Sequence, residues 1–289
     1  VEDRRYIGYS PGSITVLFEI RDANPDPLRR GSRGVGIAIS PGALTEVIPG
    51  DEVSVHANGA PLEDSVQEVV LRELGVRGTV RTTLSFPISR GLGMSAAAAL
   101  STAVALAPTL HRAGAAAHVA EIVTSRGLGD VATAMTGGVT LRRVEGVPPH
   151  GVVDRLLSHP PRLVLLMMEG EMDTRDVLRN PDMRRAIARA AGKYVDAALS
   201  SGALCEIVRI GRRFAEDTGL LSRDMRDALE EISDVGYGSM AFLGPTLFAF
   251  GDVEEIEARW RGLGTVMKAE VDIGGPRRVG IAEDNTTLE

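Results

Sequence analysis

Cysteine and lysine are almost missing from this chain. Cys205 is the single cysteine, so no internal disulfide forms, and a reducing cytoplasm is the expected compartment. Only Lys193 and Lys268 are lysines, leaving thirty of the 32 cations as arginine. Coding bias explains most of that surplus, and guanidinium use at anion sites is the sharper alternative. Long hydrophobic runs are also lacking. The softest stretch, 94–110, is Ala-rich, carries Ser95, Ser101, Pro108 and Thr109, and falls short of a spanning helix. The first twenty residues place acids and arginines where a secretory signal needs a clean apolar core. A soluble cytoplasmic protein with no membrane partner is therefore expected.

Several nucleotide-binding signatures are missing too. No GxxxxGK[ST] string occurs, which excludes P-loop nucleotide chemistry. Gly91, Gly93 and Ala96 formally satisfy a dinucleotide fingerprint, yet no Asp or Glu occurs from Met94 to Val119 to hold a ribose. A protein-kinase glycine loop needs a lysine on the following strand and an HRD-type segment, and neither is present.

What remains is an ordinary globular composition. The chain has 289 residues, 44% hydrophobic and 25% charged, long enough for two packed domains. A net charge of −7 argues against general nucleic-acid binding. Alternation of apolar side chains predicts strands over 12–20, 36–40, 44–48, 52–57, 80–86 and 139–143. Helical spacing predicts helices over 62–74, over 115–124 and beyond Asp130. Turn residues concentrate at 146–151, the best candidate boundary, which divides the chain into 1–148 and 149–289. Beyond it, strands are expected over 162–168, 246–250 and 277–281. Helices are expected from Pro181-Asp182 through Arg213, then over 222–232 and 253–263. The class is α+β.

The most unusual stretch is Pro87-Ile88-Ser89-Arg90-Gly91-Leu92-Gly93-Met94-Ser95, which opens into an Ala-rich run. A strand, a glycine turn and a helix start are the parts of an anion site. The first helical turn has unpaired N–H groups, and glycine lets a phosphate approach them.

This stretch closely resembles the PxxxGLGSSAA signature of the GHMP small-molecule kinases. Pro11, Gly12 and Glu19 match part of the first motif of that superfamily, and Gly129-Asp130 with Gly137-Gly138 resembles its Asp-bearing loop and helix. Within it, Gly31-Ser32-Arg33-Gly34, Ala117-His118-Val119-Ala120-Glu121, Gly127-Leu128-Gly129-Asp130-Val131, Thr174-Arg175 and 239–244 are most similar to the archaeal-type pantoate kinase family. The resemblance implies a two-domain fold: an N-terminal ribosomal-protein-S5-like catalytic domain and a C-terminal ferredoxin-like α+β domain closing the cleft. It implies ATP and Mg2+ as cofactors and phosphorylation of a small hydroxy acid, with pantoate as the acceptor. Shikimate, homoserine or mevalonate are the in-class alternatives. An inactive nucleotide-binding regulatory module is the alternative from another class. A homodimer is a family-level expectation.

By the same resemblance, Pro87, Arg90, Gly91, Leu92, Gly93, Met94, Ser95 and Ala96 would hold ATP. Ser95 and Glu121 would hold the metal, and Asp130 would take or orient the acceptor hydroxyl. Ser32, His118, Arg142 and Thr174 would bind the acid, with Arg142 suited to a bidentate pair with its carboxylate. Three positions depart from the pattern. Ser13 stands where other members carry a basic residue or histidine, Phe18 stands for the first motif's glycine, and Met94 replaces the first serine of the usual pair.

Overall fold

A computed structural model describes residues 4–157, 159, 161–170, 172 and 174–282. The chain begins with β1 (Arg5–Arg21) and β2 (Gly31–Pro49), then the short strands β3 (Ser54–Ala57) and β4 (Ala60–Pro61). Helix α1 (Val66–Leu74) and strand β5 (Gly78–Leu84) follow. Three helices come next, α2 (Met94–Leu106), α3 (Leu110–Val123) and α4 (Asp130–Thr136), and then β6 (Val139–Val144), β7 (Val152–Leu156) and β8 (Arg162–Met167). Four helices follow, α5 (Thr174–Arg179), α6 (Pro181–Ser200), α7 (Leu204–Thr218) and α8 (Arg223–Glu231). The described chain closes with β9 (Gly236–Ala241), β10 (Thr246–Gly251), α9 (Val253–Trp260), β11 (Thr265–Val271) and β12 (Arg277–Ala282).

Local chemistry places the helix starts. Asn180 accepts from Asp182 N and Met183 N at the head of α6, with Pro181 in the first turn as the sequence anticipates. Ser65 caps α1 by accepting from Glu68 N, and Gly75 ends that helix in the left-handed region. Helix α2 has no polar face: every residue from Ala96 to Ala105 is buried, which its small side chains permit. It packs against β1, β2, α1 and α3.

The long hairpin of β1 and β2 organises the sheet. Its register runs from Tyr6↔Val47 to Arg21↔Gly31, with irregularities at Ser10/Gly12 and Thr15/Leu17. The second irregularity shifts the alternation by one residue, and Phe18 thereby follows Thr15 onto the border of one cleft. The free edge of β2 is shared in turn by β6 at 34–37, β11 at 39–40 and β5 at 43–49. Two expected strands, 36–40 and 44–48, are thus one strand that runs through Pro41 without breaking.

Strands β9 and β11, which sequence alternation does not announce, extend the sheet as β2-β11-β8-β10-β9. β8 is apolar without alternation because Leu163, Val164, Leu165 and Leu166 are all fully buried. Each such side chain contributes about 1.5–3 kcal/mol relative to exposure. The sheet is continuous across the turn-rich 146–151 segment, and β12 returns to pair with Arg5–Tyr9 of β1. No helix among the described residues is long and apolar enough to cross a membrane.

Candidate active site

A cleft of about 810 Å³, counted with its open mouth, lies where β1, β2, the start of α2, the 126–130 loop and α5 meet. Gly91, Leu92, Gly93, Met94, Ser95 and Ala96 line one side. Gly93 is the residue before α2 and holds φ +64, and an added Cβ there would overlap Ser13 Oγ. Glycine is required on both counts. The turn brings the first free N–H groups of α2 to the cleft, an arrangement that favours anions.

Two carboxylates face this helix start. Ser95 Oγ donates to Glu121 Oε1 at 2.6 Å. A Cβ placed on Gly127 would overlap Glu121 Oε2 and come within 3.1 Å of Asp130 Oδ2, so both carboxylates flank that glycine. Burial pushes the Glu121 carboxyl up to about 8, the Ser95 bond opposes the shift, and the nearby Asp130 charge adds to it. Among the described residues no group of three or more His, Cys, Asp or Glu gathers as a metal site. The donor set here is two carboxylates and one hydroxyl, which suits a hard cation that keeps water and phosphate oxygens in its shell.

Asp130 occupies the first turn of α4, and its Oδ1 is already taken. Ser13 Oγ donates to it at 2.7 Å and Thr15 Oγ1 at 3.5 Å. Oδ2 is left on the Gly127 side, toward Glu121. The carboxylate therefore has one oxygen tied to β1 and the other available to a ligand.

Arg142 on β6 is only 1% exposed. Its Nη1 donates to Thr133 Oγ1 at 2.8 Å, whereas Nε and Nη2 are buried without a hydrogen-bond partner. Such orphaned charged donors are costly unless a ligand answers them. Burial lowers the guanidinium to about 10, against the pull of Asp130, and leaves it cationic at neutral pH. Ser32 Oγ and Arg142 Nε both approach Gly129 so closely that a Cβ there would lie 2.6 Å from each.

Not every expected residue is brought to the cleft. His118 is buried on α3 with Nε2 bonded to Arg30 O at 2.9 Å. Burial pushes it down to about 4, so it is neutral and tied to the Pro27–Arg30 turn that leads to Ser32. Arg90 donates from Nη1 to Met168 O at 3.0 Å and Gly170 O at 2.8 Å and does not border the cleft. Pro87 and Arg142 do not border the cleft, and Arg142 lies against Gly129, which does. Thr174 opens α5, but its side chain lies outside the described residues.

Conversely, Arg126, Arg175, Thr15, Phe18 and Phe242 border the cleft without having been singled out as site residues. Arg126 and Arg175 carry a readable signal, each being a cation within or beside a motif string. Phe18 and Phe242 are visible only once the strands are folded together.

Residues 64–138 match the GHMP kinases N terminal domain. The chain is 32% identical over 270 residues to the pantoate kinase of Thermococcus kodakarensis, covering 86% of this chain and 88% of that protein. It is 30% identical over 292 residues to the pantoate kinase of Methanospirillum hungatei, covering 96% and 97%. Among solved structures, a phosphotransferase related to the CoA biosynthesis pathway superposes with TM-score 0.84 at 28% identity, over 98% of this chain and all of that one. The mevalonate-3-kinase of Thermoplasma acidophilum shares the fold at 14% identity, with TM-score 0.67 over 96% of this chain and 98% of that one.

Proposed function

The chain belongs to the GHMP kinase family, and from that membership we propose that its cleft transfers the γ-phosphoryl group of ATP to the 4-hydroxyl of (R)-pantoate. The products are ADP and (R)-4-phosphopantoate, a step toward coenzyme A. The observation that carries the acceptor side of this reading is Arg142, a buried cation with two unanswered N–H donors beside Ser32 and within reach of the Asp130 charge. A carboxylate accepts from both donors at once, and a neutral alcohol does not.

With the acid end held at Arg142 and Ser32, the primary hydroxyl reaches toward Asp130. Oδ2 of Asp130 accepts its proton as the oxygen attacks the γ-phosphorus, while Ser13 and Thr15 keep the carboxylate from turning. The amides after Gly91 and Gly93 cradle the phosphate chain, and Arg126 and Arg175 face the same space. The cleft adjoins a smaller hollow that shares Ile88, Ser95 and Arg126 with it and is lined further by Ser65, Gln67, Leu84 and Ala98. Ser95 and Glu121 would hold Mg2+. When bound, that ion neutralises charge on the phosphate oxygens as it builds toward the transition state.

In this reading 1–148 supply the phosphate loop and Asp130. Residues 149–289 close the cleft with Arg175, Leu178, Phe242 and Leu243. A cytoplasmic location and a homodimer belong to the same proposal, and neither enters the chemistry. The experiment is a coupled assay of ADP release with pantoate, shikimate, homoserine and mevalonate, with and without magnesium. Magnesium-dependent release with pantoate supports the reading, and robust turnover of another acceptor without pantoate turnover would sink it.

A further inference from the structure

Phe18 stands where the first GHMP motif has glycine, and nothing in phosphoryl transfer asks for a phenyl ring there. The irregularity at Thr15/Leu17 turns it to the cleft, where it is 4% exposed. Its ring centroid lies 5.8 Å from that of Phe242 and 6.0 Å from that of Phe214, both edge-on. Phe214 and Phe242 are themselves 5.0 Å apart, so three rings brace one another. Phe242 N–H donates to Thr15 O at 3.1 Å, and the Thr15 side chain reaches Asp130. The aromatic wall is thus fixed to the strand segment that holds the proton acceptor. Leu178 of α5 and Leu243 extend the same border with further apolar carbon.

Along one border of the cleft, then, Phe18, Phe242, Leu178 and Leu243 present side chains with no donor or acceptor. An acceptor that presents a hydroxyl to it loses water and gains no partner. One that presents methyl groups fills it. We propose that Phe18, with Phe242 and Leu178, is the receptor for the two methyl groups on the quaternary carbon of the acceptor, and that it selects hydroxy acids branched between the carboxylate and the reacting hydroxyl. This rests on pantoate being the acceptor. Phe18 is then a specificity element rather than a damaged motif position.

The test compares (R)-pantoate with (R)-2,4-dihydroxybutanoate, which keeps the carboxylate and both hydroxyls and lacks only the methyls. The unaltered enzyme is expected to favour pantoate in kcat/KM by roughly tenfold to a hundredfold, the discrimination two methyl groups command in an apolar pocket. Phe18→Ala is expected to cut that ratio by about tenfold, since it removes the largest part of the receptor. Because that change also loosens the three-ring cluster, Leu178→Ala, on the cleft border but not one of the three rings, serves as the second variant and is expected to lower the ratio severalfold. If both acids lose activity in parallel in both variants, or if the unaltered enzyme does not discriminate, the inference is overturned while the kinase reading stands. Turnover of neither acid by the unaltered enzyme overturns both.

Discussion

Ser13 Oγ donates a 2.7 Å hydrogen bond to Asp130 Oδ1 across 117 residues of chain. Ser13 is also the residue against which Gly93 packs, so one buried hydroxyl touches both the glycine turn and Asp130. This chain holds the aspartate with a neutral donor. Ser13→Ala is expected to lower kcat by roughly ten- to a hundredfold, the worth of a hydrogen bond to a charged group, about 1.5–3 kcal/mol. Nucleotide KM should change little. Steady-state kinetics against both substrates decide it, and an unchanged kcat would show that the bond does not orient Asp130.

Asp130→Asn keeps the shape of the side chain and removes its capacity to take a proton. Binding of ATP, followed by calorimetry, should survive. Turnover should fall by about a hundredfold or more, the usual worth of a positioned base. Full activity in this variant refutes the assigned role.

Glu121 gives a pH signature. Its folded-state pKa is raised by burial from 4.5 to about 8, so the protonated form is the one the fold prefers. The stabilisation is complete below the unfolded value and is lost as pH rises toward about 8. In chelator, the melting temperature should therefore fall across that window, and Glu121→Gln should flatten the fall by removing the titrating group. Parallel curves for the two proteins would count against a buried, titrating Glu121.

Arg142 separates stability from function. Two of its donors are buried and unanswered, so the fold carries a desolvated cation at a cost. Arg142→Met should leave thermal stability unchanged or higher, while KM for the hydroxy acid rises by about a hundredfold or more, the loss of a charge-assisted bidentate pair. A large drop in melting temperature with an unaltered KM would assign the residue to the fold alone.

The parts of the site that sequence made legible are those encoded in contiguous strings. The glycine turn, the small-residue helix behind it and the Gly-Asp entry to α4 each announce themselves within about ten residues, and the structure brings Ser95, Glu121 and Asp130 to one cleft. What stayed hidden depends on distant pairing. Arg90 sits inside the phosphate motif, yet its guanidinium finds carbonyls 78 and 80 residues away. Pro41 and Gly42 read as a strand break, but β2 runs through them because β1 pairs with it both before them, at Ile39, and after them, at Ala43. The turn of Phe18 toward the cleft depends on an irregularity in the ladder, which leaves no mark in a local hydropathy pattern.

The pairing of β12 with the first residues of β1 has a consequence for how the molecule is made. As the chain emerges from the ribosome, residues 5–9 of β1 lie beside β2 on one edge, and the partner that the described residues supply on the other edge, 277–282, arrives last. Such sequence-distant closure is slow, and it keeps a strand edge open throughout synthesis. A nascent or truncated chain lacking β12 would expose that edge to any extended segment nearby. Ribosome-stalled or proteolysed forms of this enzyme are therefore the ones expected to recruit chaperones or aggregate.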